Sequence, residues 1–165
     1  MSHSNAVKVA SIIDRAGGRI VGRTRLQKVA YLLYIAGCEE SFRFSYRRFG
    51  PFSEELALAA RDAHLHGLIQ EVEHPATWGG VYSEYQSSHR NEETNAFAAA
   101  AAASDAVALE LAATAAFLKI EGFPDPWAET ERRKPEKAAD NRIDQAKELY
   151  RRLSQMPTPK RLPVI

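Results

Sequence analysis

The chain has 165 residues, of which 22 are Lys or Arg, 21 are Asp or Glu and one is cysteine. That length suits one domain whose core needs neither disulfides nor a structural metal. The lone Cys38 excludes an internal disulfide, and with no signal-peptide pattern at the N-terminus the expected compartment is the reducing cytoplasm.

The net charge of +1 conceals an uneven distribution. Residues 1–74 carry 10 Lys/Arg against 8 Asp/Glu, residues 75–127 carry 2 against 7, and residues 128–165 carry 10 against 6. The middle is acidic. Arg15, Arg19, Arg23, Arg25 and Lys28 occur with no acid among them, as do Arg151, Arg152, Lys160 and Arg161, so these two stretches are the candidate anion-facing surfaces.

In chain order, Val7, Ala10 and Ile13 predict a first helix over residues 5–16, stopped by Gly17 and Gly18. Arg19, Ile20 and Val21 read as a short extended piece. Thr24 is expected to cap a second helix with Leu26, Val29, Ala30, Leu33 and Ala36 on one face and Tyr31 and Ile35 on the other, so two faces should be covered. Residues 42–49 interleave aromatic and basic side chains, and Gly50-Pro51 makes a turn. Ser53 then opens a third helix with Glu54 and Glu55 in its first turn, ending at Gly67. Residues 68–73 and 81–86 alternate around Pro75, Gly79 and Gly80 and are expected to form a β-hairpin.

Residues 96–120 invite a transmembrane reading because of their alanine run. Ser104-Asp105 breaks that run as a helix N-cap pair, and Glu110 and Lys119 are charged, whereas a spanning helix needs about 20 largely uncharged residues. Two helices are expected instead, the first opened by Thr94 or Asn95 and the second by Ser104. Val107, Leu111, Thr114 and Leu118 on one face and Leu109, Ala116 and Ile120 on another mark the second as buried. Asp125-Pro126-Trp127 starts a further helix, and a charged helix follows over residues 140–153. Residues 155–165, with Pro157, Pro159 and Pro163, are expected to be an extended or disordered basic tail beyond a single domain over residues 1–154.

The expected fold class is mainly α with a small β-hairpin: a winged-helix-like N-terminal core plus additional C-terminal helices. Three helices followed by a two-stranded hairpin is the element order of a winged helix. The chain departs from a simple DNA-binding version in the long connection before its third helix. That helix also carries Glu54, Glu55 and Asp62 against Arg61 alone, the wrong balance for a groove lined by phosphates.

Thr24-Arg25-Leu26-Gln27-Lys28 with Tyr31-Leu32, then Phe49-Gly50-Pro51-Phe52-Ser53, then Asp125-Pro126-Trp127, resemble the Panacea domain, the SocA-like antitoxin superfamily, and especially its YwgA-like bacterial relatives. The resemblance spans residues 5–130. Many relatives carry Val after the Gly-Pro pair, where this chain has Phe52. The resemblance implies a mostly helical, winged-helix-like protein that acts as an antitoxin or adaptor on a partner protein, and it implies no active site.

Arg23, Arg25, Gln27 and Lys28 are candidates for a partner-docking surface, because backbone N–H groups at a helix start already favour negative charge. The plainer reading is a solvated polar face. Tyr46, Arg47, Arg48 and Phe52 are the second group of candidates, since interleaved aromatic and basic residues can stack bases or clamp an acidic peptide. Period-two alternation equally describes an amphipathic strand with Phe42, Phe44 and Tyr46 inward and Arg43, Ser45 and Arg47 in solvent.

No metal is expected, because His64 and His66 diverge on a helix and His74 and His89 have no clustered ligands beside them. Catalytic residues and cofactors are not expected either: the sequence has no nucleophile elbow, phosphate loop or dinucleotide glycine pattern. What remains is a non-enzymatic regulatory or interaction protein that binds a partner protein, with a toxin among the candidates and the basic tail as a second contact that orders on binding. The alternative is a winged-helix DNA-binding transcriptional regulator that uses residues 15–28 and the hairpin. No membrane partner is expected, and the alanine-rich helix faces leave a homodimer open.

Overall fold

The computed structural model describes residues 2–165. Its elements are α1 (Ser2–Arg15), β1 (Arg19–Val21), α2 (Arg23–Ile35), β2 (Ser45–Arg47), β3 (Gly50–Phe52), α3 (Glu54–Leu65), β4 (Ile69–Pro75), β5 (Val81–Ser87), α4 (Ala96–Ala103), α5 (Ala106–Ile120), α6 (Pro126–Arg133), α7 (Pro135–Ala138) and α8 (Arg142–Ser154). The fold is mainly helical with two small antiparallel sheets.

Helix starts follow local chemistry. Ser53 Oγ accepts from Leu56 N at 3.1 Å, Asn95 Oδ1 from Ala98 N at 2.9 Å, and Asp125 Oδ1 from Ala128 N at 3.2 Å, each satisfying a donor that the first turn leaves free. Asp105, rather than Ser104, caps α5, accepting from Val107 N and Ala108 N, while Ser104 closes α4. The expectation for α2 is corrected: Gly22, at φ 102°, takes the cap position, and Thr24 lies inside the helix with no side-chain cap bond. A backbone turn open to glycine at that φ does the work that a hydroxyl was expected to do.

The three-stranded sheet has the order β1-β5-β4, with Ile20 opposite Tyr85 and Glu71 opposite Tyr85 on its other side. Ile20, Tyr85 and Ile69 are buried and turn one face of this sheet toward α1, α2 and α3. The second sheet is the β2-β3 hairpin, in which Tyr46 pairs with Pro51 and Arg47 with Gly50. It occupies the long connection between α2 and α3.

Helix α5 runs through the middle and packs on α2, α6, α8 and β3. Leu109, Leu111, Ala112, Ala113, Ala115, Ala116 and Leu118 are each at most 1% exposed, so its alanine faces are consumed inside one chain. Small side chains let the neighbouring backbones close in, and each buried leucine contributes about 2 kcal/mol. Charged α8 joins this core through Ala146, Leu149 and Leu153. Among the described residues no helix is long and apolar enough to cross a membrane.

The segment after Ser154 is extended and is fastened to the rest of the chain. Leu162 is buried, Lys160 N donates to Ala36 O at 2.9 Å, Lys160 Nζ pairs with Glu40, and the Tyr150 hydroxyl donates to Pro163 O. A tail that orders only on meeting a partner is therefore corrected to one held by α2 and α8.

Candidate functional site

The β2-β3 hairpin is gripped from within by polar side chains that converge from distant parts of the chain. Gln27 clamps the residue that follows the hairpin: Ser53 N donates to its Oε1 at 2.8 Å, and its Nε2 donates to Ser53 O at 2.9 Å. Lys28 Nζ donates to Pro51 O at 2.9 Å, and Lys134 Nζ, from the joint between α6 and α7, donates to Arg48 O at 3.1 Å. Glu110 of α5 sits between the ammoniums, accepting from Lys134 at 3.0 Å and from Lys137 at 2.7 Å and 2.8 Å. Lys28, Glu110 and Lys134 are all less than a tenth exposed.

Such burial has an electrostatic signature. Loss of water pushes the Lys28 ammonium down to about 8; Glu110 pulls it back up, and Lys134 and Lys137 add to the lowering. Thr114 completes the cluster. Its Oγ1 is buried with no hydrogen-bond partner and fills the space that a Cβ at Gly50 would need. Gly50 itself has φ 95°, so both backbone conformation and packing specify glycine there.

On its outer side the hairpin presents an aromatic and basic tip. Phe49 is 43% exposed, with the Arg48 guanidinium 5.4 Å and the Lys137 ammonium 4.7 Å from its ring centre. Arg47 lies 5.9 Å over the Phe52 ring. Tyr46 is half-buried between Phe117, at 5.9 Å, and the Arg133 guanidinium, at 4.9 Å. Arg133 and Arg132 are engaged by Glu129, whereas Arg47 and Arg48 form no salt bridge among the described residues. This arrangement can bind an anionic, apolar surface.

The structure separates the residues singled out from the sequence. Tyr46, Arg47, Arg48 and Phe52 come together on the hairpin, with Arg43, Ser45 and Arg47 in solvent and Phe42 buried, as an inward-pointing alternation requires. Gln27 and Lys28 are corrected: they are 4% and 1% exposed and are spent on the backbone of Ser53 and Pro51, so they position the hairpin and cannot touch a partner. Arg25 is half-buried, donating to Val21 O, Ala102 O and Ser104 O, where it closes the end of α4. Arg23 is exposed and pairs with Glu71 at 3.1 Å, away from the hairpin.

Glu110, Lys134 and Lys137 are not marked by any pattern in the sequence. Phe49, part of the aromatic-basic segment expected to dock a partner, stands at the two-residue tip between Arg47 and Gly50. The other three sit 58 or more positions along the chain from Phe52, and no local pattern links them to it.

The other chemistry-bearing groups are structural. His64 Nδ1 accepts from Glu71 N, and His74 meets Glu84 at 2.9 Å. Among the described residues there is no cluster of three metal-ligating side chains. Burial raises the Cys38 thiol above its ordinary range, which lowers its reactivity. A groove of about 780 Å³ lies beneath the tail, lined by Trp127, Tyr150, Met156 and Leu162. Compared with known proteins, the chain matches no protein-family model, no curated protein and no solved structure.

Proposed function

We propose that this is a non-enzymatic regulatory protein of the antitoxin or adaptor kind, which works by occluding a surface of a partner protein through the tip of its β2-β3 hairpin. The observation that carries this reading is Phe49, a large exposed aromatic at the tip of a rigidly supported hairpin and ringed by cations. Exposed aromatic anchors beside arginine are the side chains that most often dominate protein interfaces. Holding the loop from beneath lowers the ordering cost of binding. The Panacea-like resemblance of residues 24–28 and 49–53 agrees with this reading, since those motifs are the parts that build the hairpin support.

A winged-helix-like core is part of the proposal. It draws on the order α1-β1-α2-α3-β4-β5 and on the sheet order β1-β5-β4. The same order supports the competing reading of a DNA-binding regulator. Charge favours the first reading, because the exposed side of α3 carries Glu54 and Glu55 against Arg61 alone, beside Leu58 and Leu65, and residues 69–87 hold Glu71, Glu73 and Glu84 with no Lys or Arg.

A photo-crosslinking amino acid placed at Phe49, with a second at the exposed position Glu131 as a control, tests the proposal in nuclease-treated native extract. One protein captured from position 49 and absent from the control is the expected result. Nucleic acid recovered without nuclease, and no protein specific to position 49, overturns it.

A further inference from the structure

We infer that the occupant of the hairpin tip is an acidic protein segment, which lays a large apolar side chain on Phe49 and carboxylates on Arg47 and Arg48. This rests on the docking function proposed above and specifies the chemistry of the partner.

Three independent features converge on that occupant. Arg47 and Arg48 are exposed and have no carboxylate partner among the described residues, although a guanidinium is built to take a carboxylate through two parallel hydrogen bonds. Both instead rest on aromatic rings, Phe52 and Phe49, which hold them splayed on the surface and ready for a second partner.

Beneath them, Lys28, Lys134 and Lys137 surround Glu110 as the carboxylate they share. The buried positive excess is screened poorly by salt, so its field reaches the tip above it. A carboxylate arriving there offsets charge that the fold itself leaves unbalanced.

The third feature is the contrast with the exposed faces of α3 and β4. Exposed Glu54 and Glu55 on α3, and Glu73 on β4, form no salt bridge among the described residues; they repel an acidic segment and direct it to the hairpin, whereas Glu71 is neutralised by Arg23. A nucleic-acid backbone would need a longer track of cations, and α3 and the β4-β5 hairpin supply carboxylates in its place. Exposed Phe49 adds an apolar requirement that a bare polyanion does not meet.

A random-peptide display library selected on the full chain, and in parallel on the Arg47→Glu/Arg48→Glu variant, tests this directly. Neither side chain makes a hydrogen bond that holds the fold, and thermal melting of the variant verifies that it remains folded. The expected outcome is a pool enriched in Asp and Glu around a large apolar residue, bound about tenfold or more weakly by the charge-reversed variant and by Phe49→Ala. Enrichment of neutral or basic peptides overturns the acidic occupant while leaving the docking function standing. Enrichment of nothing above the starting library overturns the docking function itself. Labelled oligothymidine bound more tightly than the selected peptides, and lost with the same variants, overturns both in favour of nucleic acid.

Discussion

Gln27 and Ser53 are 26 positions apart and share two hydrogen bonds, in which one side-chain amide satisfies both the N–H and the C=O of a single residue. Ser53 is also the residue whose hydroxyl caps α3, so the amide of α2 aligns the start of the next long helix. The hairpin between them is thereby fixed at its exit, while Lys28 and Lys134 fix its interior.

Replacing Gln27 with Leu leaves the Ser53 N–H buried without a partner, while the Ser53 C=O keeps the bond from Ala57 N at 3.2 Å. The expected cost is about 1–3 kcal/mol in urea unfolding, from the stranding of one buried donor. A loss below about 0.5 kcal/mol would show that the clamp contributes little beyond geometry.

Thr114 and Gly50 should behave as a coupled pair. Thr114→Val removes a hydroxyl that has no partner at nearly constant volume, and a gain of up to about 1 kcal/mol is expected. Gly50→Ala should cost about 2 kcal/mol or more, combining a left-handed backbone with collision against Thr114. Adding Thr114→Ala to Gly50→Ala should recover part of that loss, and strict additivity in the double-mutant cycle would contradict the contact.

Lys28 predicts an unusual alkaline trend. Folding lowers its value from 10.5 to about 8, so between those values the unfolded chain binds the extra proton and stability rises with pH. Above pH ~10 burial of Tyr31, Tyr85 and Tyr150 acts in the opposite direction, because their folded phenols stay protonated after the unfolded ones ionise. Urea midpoints taken from pH ~8 to pH ~10 should climb for the natural chain and be flatter for Lys28→Met. Equal slopes would place the buried charge elsewhere.

Glu84 predicts the acid limb. Its hydrogen bond from Arg19, together with those from Gln86 and His74, pulls its carboxyl down to about 2. The stability it confers is present above its ordinary value of 4.5 and is lost as pH falls from there toward 2, where the unfolded chain takes up the proton first. Glu84→Gln should weaken the pH dependence of melting across that window, and an unchanged profile would remove Glu84 from the account.

Much of the fold was legible because it is encoded locally. Ser53, Asn95 and Asp125 announce helix starts through bonds that span three residues, and the glycines after α1 and α3 announce stops. Thr24 misled because the cap of α2 is a matter of the Gly22 backbone, which a search for hydroxyls overlooks. The β2-β3 hairpin was read as a strand and a turn, since three-residue strands carry too little alternation to show their pairing.

The candidate site was legible on one side only. A polar run at a helix start has the same appearance whether it meets water or the interior. Arg25, Gln27 and Lys28 turn inward because backbone carbonyls at residues 51, 53, 102 and 104 await them, and those are tertiary facts. The aromatic-basic run declared its chemistry more openly, because its exposed tip is set by the turn itself.

The grip of Lys134 on Arg48 spans 86 positions. During synthesis, a ribosome that has released only the first three helices exposes the hairpin without its second support and without the α5 carboxylate that steadies the lysines. The partner recognition proposed above would then mature late, after the segment around residue 134 has emerged and docked. A chain cut before α6 would keep the bonds from Gln27 and Lys28 and lose the one from Lys134, leaving the tip around Arg48 less ordered and any partner bound there held more weakly for entropic reasons.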